Sequence, residues 1–285
     1  MKTKRRTLLG LLVLVLLLGG ALALLTRQNQ KAKQAASEAA QGTIPLSSFA
    51  ANDLTEIVVT YNGETHTLHS ADGGWTLAED PAYHLDETSC NTMRTALAAL
   101  NAKRQLTEEP GEDYGFTADS LTVTVTAAGE TNTFTFGAEN AATGDIYLKK
   151  AGDDALYTVA ITKASCFEVR KTDLFGAFNP AGLTSSAIEA VTLTKNGETL
   201  TPELTTELLS ALSSYVTAQT TDGDPAGRKE LAAAVVQTAD STKTLTYYEG
   251  TDNYYLTVAG DTSLYTVDGS TVQTILAADA AEADS

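Results

Sequence analysis

Two short stretches of this chain are written twice, and the duplication limits the fold more than any other feature. Ala151–Val159 reads AGDDALYTV and Ala259–Val267 reads AGDTSLYTV, identical at seven of nine positions with an offset of 108. Upstream, Asn62-Gly63-Glu64-Thr65 returns as Asn196-Gly197-Glu198-Thr199, with an offset of 134. Offsets of 134 and 108 at the two ends make the second copy shorter by 26 residues in its middle. Between these markers both copies share an order: hairpin, amphipathic helix, strand meander, Leu-Tyr-Thr-Val. One supersecondary plan used twice in succession explains that order better than composition does.

The local signals fill in the plan. Glu56–Leu68 and Ala187–Leu200 each place Asn-Gly between β-branched runs, the strongest short hairpin signal. A two-residue turn there sets Tyr61 opposite Glu64, Val59 opposite His66 and Ile57 opposite Leu68. Asp72-Gly73-Gly74 turns into a third strand at Trp75–Leu77. Cys90, Met93, Leu97 and Leu100 recur on one face of a helix over Asp86–Asn101, with Asp86 as N-cap. Leu121–Thr126 and Thr133–Phe136 alternate apolar and polar across Ala128-Gly129-Glu130, and Ile146–Lys150 pairs Leu156–Val159 across Ala151-Gly152-Asp153. A short helix is predicted over Thr162–Lys171. In the second copy Leu204, Leu208, Leu212 and Tyr215 line a helix, and Val235–Thr238, Thr244–Tyr248 and Tyr254–Val258 form the meander.

Ahead of the repeats, Leu8–Leu25 reads LLGLLVLVLLLGGALALL, without charge or proline. At ~1.5 Å per residue this run spans ~27 Å, close to a bilayer's hydrocarbon core. A cleaved signal has a shorter apolar core ending at a small-x-small site. Ala21 and Ala23 offer such a site, but Leu24 and Leu25 continue the run past it, which favours an uncleaved anchor. Lys2, Lys4, Arg5 and Arg6 precede it, so the positive-inside rule keeps the N-terminus cytoplasmic and the C-terminus outside. Thr26–Thr43, rich in Ala, Gln and Lys, builds no core and reads as a stalk.

The fold class expected is therefore α+β. An N-terminal transmembrane helix precedes two similar units, each an antiparallel sheet with an amphipathic helix on one face. The divisions are a tail at 1–7, the anchor at 8–25, the stalk at 26–45, a first repeat at 46–178 and a second at 179–285.

Charge narrows the partners. The chain has 19 basic and 36 acidic residues; seven basic residues and one acidic, Glu38, precede Thr43, leaving 12 and 35, a net of −23. That balance argues against nucleic acid, since phosphate binding needs basic patches, and against adsorption on anionic lipid. Two cysteines, Cys90 and Cys166, are too few for a disulfide scaffold and leave a single bridge open.

Residues that could carry chemistry are sparse. His66 and His69, three apart on a strand, point to opposite faces and suit no shared metal. His66 also stands where Leu200 stands in the second copy, a core-facing site. His84 opens a loop. Cys166 has no His near it in sequence to activate it and aligns with Thr274. Asp222-Gly-Asp224 with Glu230 lacks the alternating ligands of a calcium loop and reads as a polar turn. Glu108, Glu109, Glu112 and Asp113 read as a solvated loop. No phosphate loop, nucleophile elbow or Cys-x-x-Cys occurs, so no catalytic residue, cofactor or metal is assigned. Tyr248 and Tyr255, outward by alternation, are the candidate surface-binding residues; they could stack on a sugar or pair across strands. Trp75 reads as core.

The hairpin ending in Gly-Gly-Trp75, the amphipathic helix, Asp113-Tyr114-Gly115-Phe116, a strand ending at Gly137, then Tyr147 and Leu156-Tyr157 together resemble a bacterial family known only as a domain of unknown function, DUF 4340. The resemblance covers Leu54–Phe178 best, with the second copy as a weaker echo. Thr117-Ala118-Asp119 stands where the family often has a proline. What it implies is a membrane-anchored, extracytoplasmic bacterial protein, often found beside transporter components of the ATP-binding-cassette type, with no catalytic residues to carry over. The function expected is that of a non-enzymatic accessory or interaction protein with a membrane partner. The alternatives are a glycan- or cell-wall-binding module and, third, a hydrolase.

Overall fold

A computed structural model describes residues 44–71 and 74–279. The apolar run Leu8–Leu25, the stalk up to Thr43 and the Asp72-Gly73 part of the third turn lie outside the described residues. Among the described residues no helix is long and apolar enough to cross a membrane.

The architecture is α+β, with antiparallel sheets and few helices. The first stretch of chain gives β1 (Ile44–Pro45), β2 (Leu54–Tyr61), β3 (Glu64–Ala71), β4 (Gly74–Leu77) and helix α1 (Glu87–Ala98). Then come β5 (Asn101–Ala102), β6 (Arg104–Leu106), β7 (Thr122–Ala127), β8 (Glu130–Glu139), β9 (Asp145–Lys150) and β10 (Leu156–Ala160). Helix α2 (Thr162–Ser165) is only four residues long, where the sequence predicts a helix to Lys171; a separate 3-10 turn begins at Lys171. The remainder gives β11 (Ile188–Lys195), β12 (Glu198–Leu200), α3 (Thr206–Leu212), β13 (Ala218–Thr220), β14 (Glu230–Thr238), β15 (Thr242–Glu249), β16 (Tyr254–Val258), β17 (Leu264–Val267) and α4 (Gly269–Ala277).

By internal contacts the described residues form two compact units: 44–65 with Thr92–Glu168, and those of His66–Asn91 with 169–279. The first unit lays six strands side by side in the order β2-β7-β8-β9-β10-β6, all antiparallel. The second unit lays seven in the order β12-β11-β14-β15-β16-β17-β13, again all antiparallel. The sequence places of β2-β7-β8-β9-β10-β6 and β11-β14-β15-β16-β17-β13 match one for one.

The match extends to detail. Asn62 and Gly63 have φ of 50° and 79°, and Asn196 and Gly197 have 51° and 79°. Both are two-residue turns of the primed kind that suits a twisted hairpin. Thr60 and Thr65 share a hydroxyl hydrogen bond of 3.0 Å, as do Thr194 and Thr199. A 3-10 turn precedes β2 at Ala51–Asp53 and β11 at Ser185–Ala187. A bulge interrupts β2 between Leu54 and Glu56 and β11 between Ile188 and Ala190.

Register locates the residues the second copy lacks. Gln105 faces Tyr157 and Gln219 faces Tyr265, an offset of 114 on the edge strands. Phe134 faces Val123 and Leu245 faces Ala234, an offset of 111. Leu148 faces Phe136 and Leu256 faces Tyr247, with Leu148 and Leu256 offset by 108. The 26-residue shortening therefore falls as 20 residues between the Asn-Gly turn and the edge strand, 3 before the Phe134/Leu245 pair and 3 after it. The first of these stretches holds β4 and the longer of the two helices, 12 residues against 7.

One face of each sheet builds a core. Ile57, Val59, Val123, Val125, Phe134, Leu148 and Val159 are buried in the first unit. In the second, Val191, Leu193, Ala234, Val236, Leu245, Tyr247 and Leu256 join Leu208 and Leu212 of α3 and Val272 and Ile275 of α4. Helix α1 buries Cys90, Met93 and Leu97 on one face, as the spacing predicts, and Leu100 just beyond it is buried too. Asp86 caps it, accepting from the Thr88 amide at 3.0 Å and the Ser89 hydroxyl at 2.6 Å. The Ser89 hydrogen bond holds the Asp86 carboxyl below the usual carboxylate range. Helix α3 is shorter than its apolar spacing suggests. Thr205 caps it, so Leu204 precedes it and Tyr215 follows it, and both are exposed.

Candidate functional site: the loop after each edge strand

The repeated Ala-Gly-Asp turn is a clasp. Asp153 accepts from the Ala155 amide at 2.9 Å and from the Tyr157 hydroxyl at 2.7 Å. Asp261 does the same for the Ser263 amide at 2.8 Å and the Tyr265 hydroxyl at 2.6 Å. The aspartate closes the turn, and the tyrosine that donates to it faces the edge strand. The bond from Tyr157 lowers the Asp153 carboxyl, and burial followed by the Asp261 bond pushes Tyr265 up to about 12.

The edge strands carry a repeat too short to stand out in the sequence. Gln105-Leu106-Thr107-Glu108 and Gln219-Thr220-Thr221-Asp222 occupy equivalent places, each leading into a loop that crosses to the sheet's outer face. The crossing is anchored alike in both units. The Ala138 amide donates to the Tyr114 carbonyl at 2.8 Å, and the Glu249 amide donates to the Lys229 carbonyl at 2.9 Å.

What the loop covers differs. In the first unit Tyr114 packs edge-on against Tyr147, with ring centroids 5.0 Å apart. The Lys149 ammonium lies 4.8 Å from the centre of the Phe116 ring and forms an ion pair with Glu108. Gly137 makes this possible, because a Cβ there would collide with the Tyr114 carbonyl oxygen and press on Phe116. The motif residues Tyr114, Phe116, Gly137 and Tyr147 are thus one packed cluster.

In the second unit Tyr248 stands at Gly137's place, Tyr255 at Tyr147's and Thr257 at Lys149's. Tyr248 and Tyr255 are register partners, both half-buried, so the sheet brings the two candidate surface tyrosines together. The Arg228 guanidinium lies 4.1 Å from the centre of the Tyr255 ring. Beside them a cleft of about 460 Å³ opens between Asp222–Pro225 and Thr257–Ser263. Asp222 and Asp224 both line it; Glu230, opposite Tyr248 on β14, does not.

The other singled-out residues scatter. His66 is buried and its Nδ1 lies 2.9 Å from Glu79 Oε1, whereas His69 is exposed. The His84 ring stacks on Phe178, with centroids 3.9 Å apart, and its amide donates to Gln219 Oε1 at 2.8 Å. Cys90 and Cys166 are thiols, not a bridge, and burial pushes Cys166 up to about 11. Trp75 is core, its indole N–H donating to Asn91 Oδ1 at 3.1 Å. The Glu108–Asp113 loop is exposed. Among the described residues no three His, Cys, Asp or Glu side chains converge as metal ligands would.

Fold and site define an antiparallel α+β protein whose loop after each edge strand is locked onto the sheet's outer face. A family model described as "Domain of unknown function (DUF4340)" matches residues 75–228, more than half of the chain, and the protein belongs to that family. The match starts later than the resemblance suggests and runs on into the second copy, ending at Arg228. No curated protein and no solved structure matches the chain.

Proposed function

We propose that this protein is a non-enzymatic accessory protein, tethered to the outer face of a bacterial cytoplasmic membrane and acting on a membrane partner of the ATP-binding-cassette transporter kind. The observation that carries the reading is Leu8–Leu25 with four basic residues before it. Its length suits a single uncleaved span with the N-terminus inside. The two-repeat body, each repeat a sheet with a helix on one face, then stands outside on the stalk. A tether raises the effective concentration of a membrane partner without requiring a strong interface. A catalyst would need converging titratable groups, and the sequence assigns none. The saccharide alternative at Tyr248 and Tyr255 has to compete with Arg228 for the face of the Tyr255 ring.

Replacing Leu8–Leu25 with a cleavable signal should abolish function while leaving the fold intact. Full restoration of a deletion strain by the released ectodomain at native abundance would overturn the reading. Affinity purification of the full chain from native membranes should recover transporter components.

A further inference from the structure

We infer that the first unit's edge strand β6 is, at Gln105, a docking site for an extended peptide segment of a partner polypeptide. The inference goes beyond the tethered role and does not depend on it.

The second unit shows such a segment docked, supplied by its own chain. Ala82–His84 belongs to that unit and runs beside the edge strand β13. The Gln219 side chain grips its backbone at two points. Oε1 accepts from the His84 amide at 2.8 Å, and Nε2 donates to the Ala82 carbonyl at 2.9 Å. A carboxamide carries an acceptor and a donor side by side, so it can take the carbonyl of one residue and the amide two residues on. Main-chain recognition of this kind is how an extended peptide is added to a sheet edge. The rest of the segment is held too. The Gly176 amide donates to the His84 carbonyl at 3.0 Å, and the Asp86 amide donates to the Leu174 carbonyl at 2.8 Å. Tyr83 is buried, and the His84 ring lies on Phe178, which meets Tyr265 edge-on.

The first unit repeats the receiving parts. Gln105 faces Tyr157 as Gln219 faces Tyr265. Ile44 pairs Ala102, and the Phe178 carbonyl takes the Val216 amide at 2.9 Å. Ala102 and Val216 share the edge-strand offset of 114, so Ile44 stands where Phe178 stands. Gln105 is exposed, and among the described residues its carboxamide makes no hydrogen bond.

The occupant is not this chain's own Ala82–His84, which Gln219 already holds. The second copy has no counterpart of that segment, because it passes directly from β12 at Leu200 to the Thr205 cap of α3. A second molecule of the same chain has its segment engaged in the same way. The occupant is therefore a different polypeptide, with an aromatic side chain between the carbonyl and the amide that Gln105 takes, as Tyr83 stands between Ala82 and His84. Arg104, exposed beside Gln105 where the second unit has Ala218, favours acidic flanks such as Asp80 and Asp86.

The test is fluorescence anisotropy on the full chain with an N-terminally fluorescein-labelled peptide amide copying Ala78–Glu87. Binding should saturate at one peptide per chain. Gln105→Ala should weaken it about tenfold or more while leaving the unfolding midpoint in place, since Gln105 is exposed. N-methylation of the peptide at its copy of His84 removes the amide hydrogen and should weaken binding to a similar degree. Absence of saturable binding overturns the inference. Binding that Gln105→Ala leaves unchanged and Gln219→Ala alters overturns it as well, since the peptide would then have displaced Ala82–His84. Dimerisation of the chain alone in sedimentation, lost in Gln105→Ala, would give the site to a second copy and overturn the assignment to a different polypeptide.

Discussion

The two copies differ most where their loops meet the outer face of the sheet. The first copy leaves a glycine, Gly137, beneath its loop and lays Tyr114 and Phe116 over it. The second fills the same place with Tyr248 and lays Arg228 over Tyr255 instead. Both settle a cation on an aromatic ring, but the parts are exchanged. In the first the sheet supplies Lys149 and the loop supplies Phe116; in the second the loop supplies Arg228 and the sheet supplies Tyr255. The strand ladder, the bulge and the Asp–Tyr clasp remain the same in both. Backbone hydrogen bonding fixes a repeat, and side chains on its solvent face can be rearranged around it.

The largest effect separating the copies should come from Lys103 and Asp145. Their side chains are 9% and 5% exposed and pair at 2.7 Å; the equivalent residues of the second copy are Thr217 and Asn253. Asp145→Ala should cost about 3–5 kcal/mol in denaturant unfolding, because it strips a buried ammonium of this carboxylate. Combining Lys103→Thr with Asp145→Asn, which installs the second copy's pair, should recover most of the loss.

Next is Gly137→Tyr, which gives the first copy the second copy's residue under a loop that has no room for it. A loss of about 1–3 kcal/mol is expected from overpacking. Tyr248→Gly in the second copy should cost about 1 kcal/mol, the loss of a strand-forming side chain. A larger loss at Tyr248 than at Gly137 would break the comparison.

Acid and base should probe the two clasps from opposite sides. The Asp153 carboxyl titrates below its unfolded value, so its contribution is present above about pH 4 and disappears as pH falls through the folded value. Tyr265 titrates above its unfolded value, so its contribution is complete below about pH 10 and disappears as pH rises through about 12. Absorbance of tyrosinate against pH should show Tyr265 among the last to ionise, and Tyr265→Phe should remove that late step.

The smallest effect belongs to Arg228→Gln, about 0.5–1 kcal/mol for a surface cation on a ring. A larger loss would mean that Arg228 holds the loop as Tyr114 does.

Much of the fold is legible in the sequence, and the reasons it stops being legible are specific. Asn62-Gly63 and Asn196-Gly197 announce their turns because only a few residue pairs adopt positive φ twice in succession. The Leu121–Thr126 alternation names its strand because one face is buried and the other is not. Edge strands Arg104–Leu106 and Ala218–Thr220 have no such signature. They are three residues long and exist because Tyr157 and Tyr265 stand opposite, a pairing some 50 residues away in sequence. The equivalence of Glu108 and Asp222 is hidden for the same reason: it becomes visible only once the edge strands are aligned by register. Gly137 reads from sequence as the end of a strand, and its role appears only when the Tyr114 carbonyl is seen against it. Tyr248 and Tyr255 alternate with buried Tyr247 and Leu256 and are register partners, but Arg228 over Tyr255 joins a loop to a sheet and leaves no periodic trace.

The central claim is that one plan is built twice, with the loop closing on the sheet at the same amide in each. Hydrogen exchange of the Ala138 and Glu249 amides tests it most directly, since these donate to Tyr114 and Lys229 at 2.8 and 2.9 Å. The account predicts that both are protected well above the loop residues around them, and that Gly137→Tyr releases Ala138 while leaving Glu249 unchanged. Protection at only one of the two in the unaltered protein, or release of both by that single substitution, would contradict it.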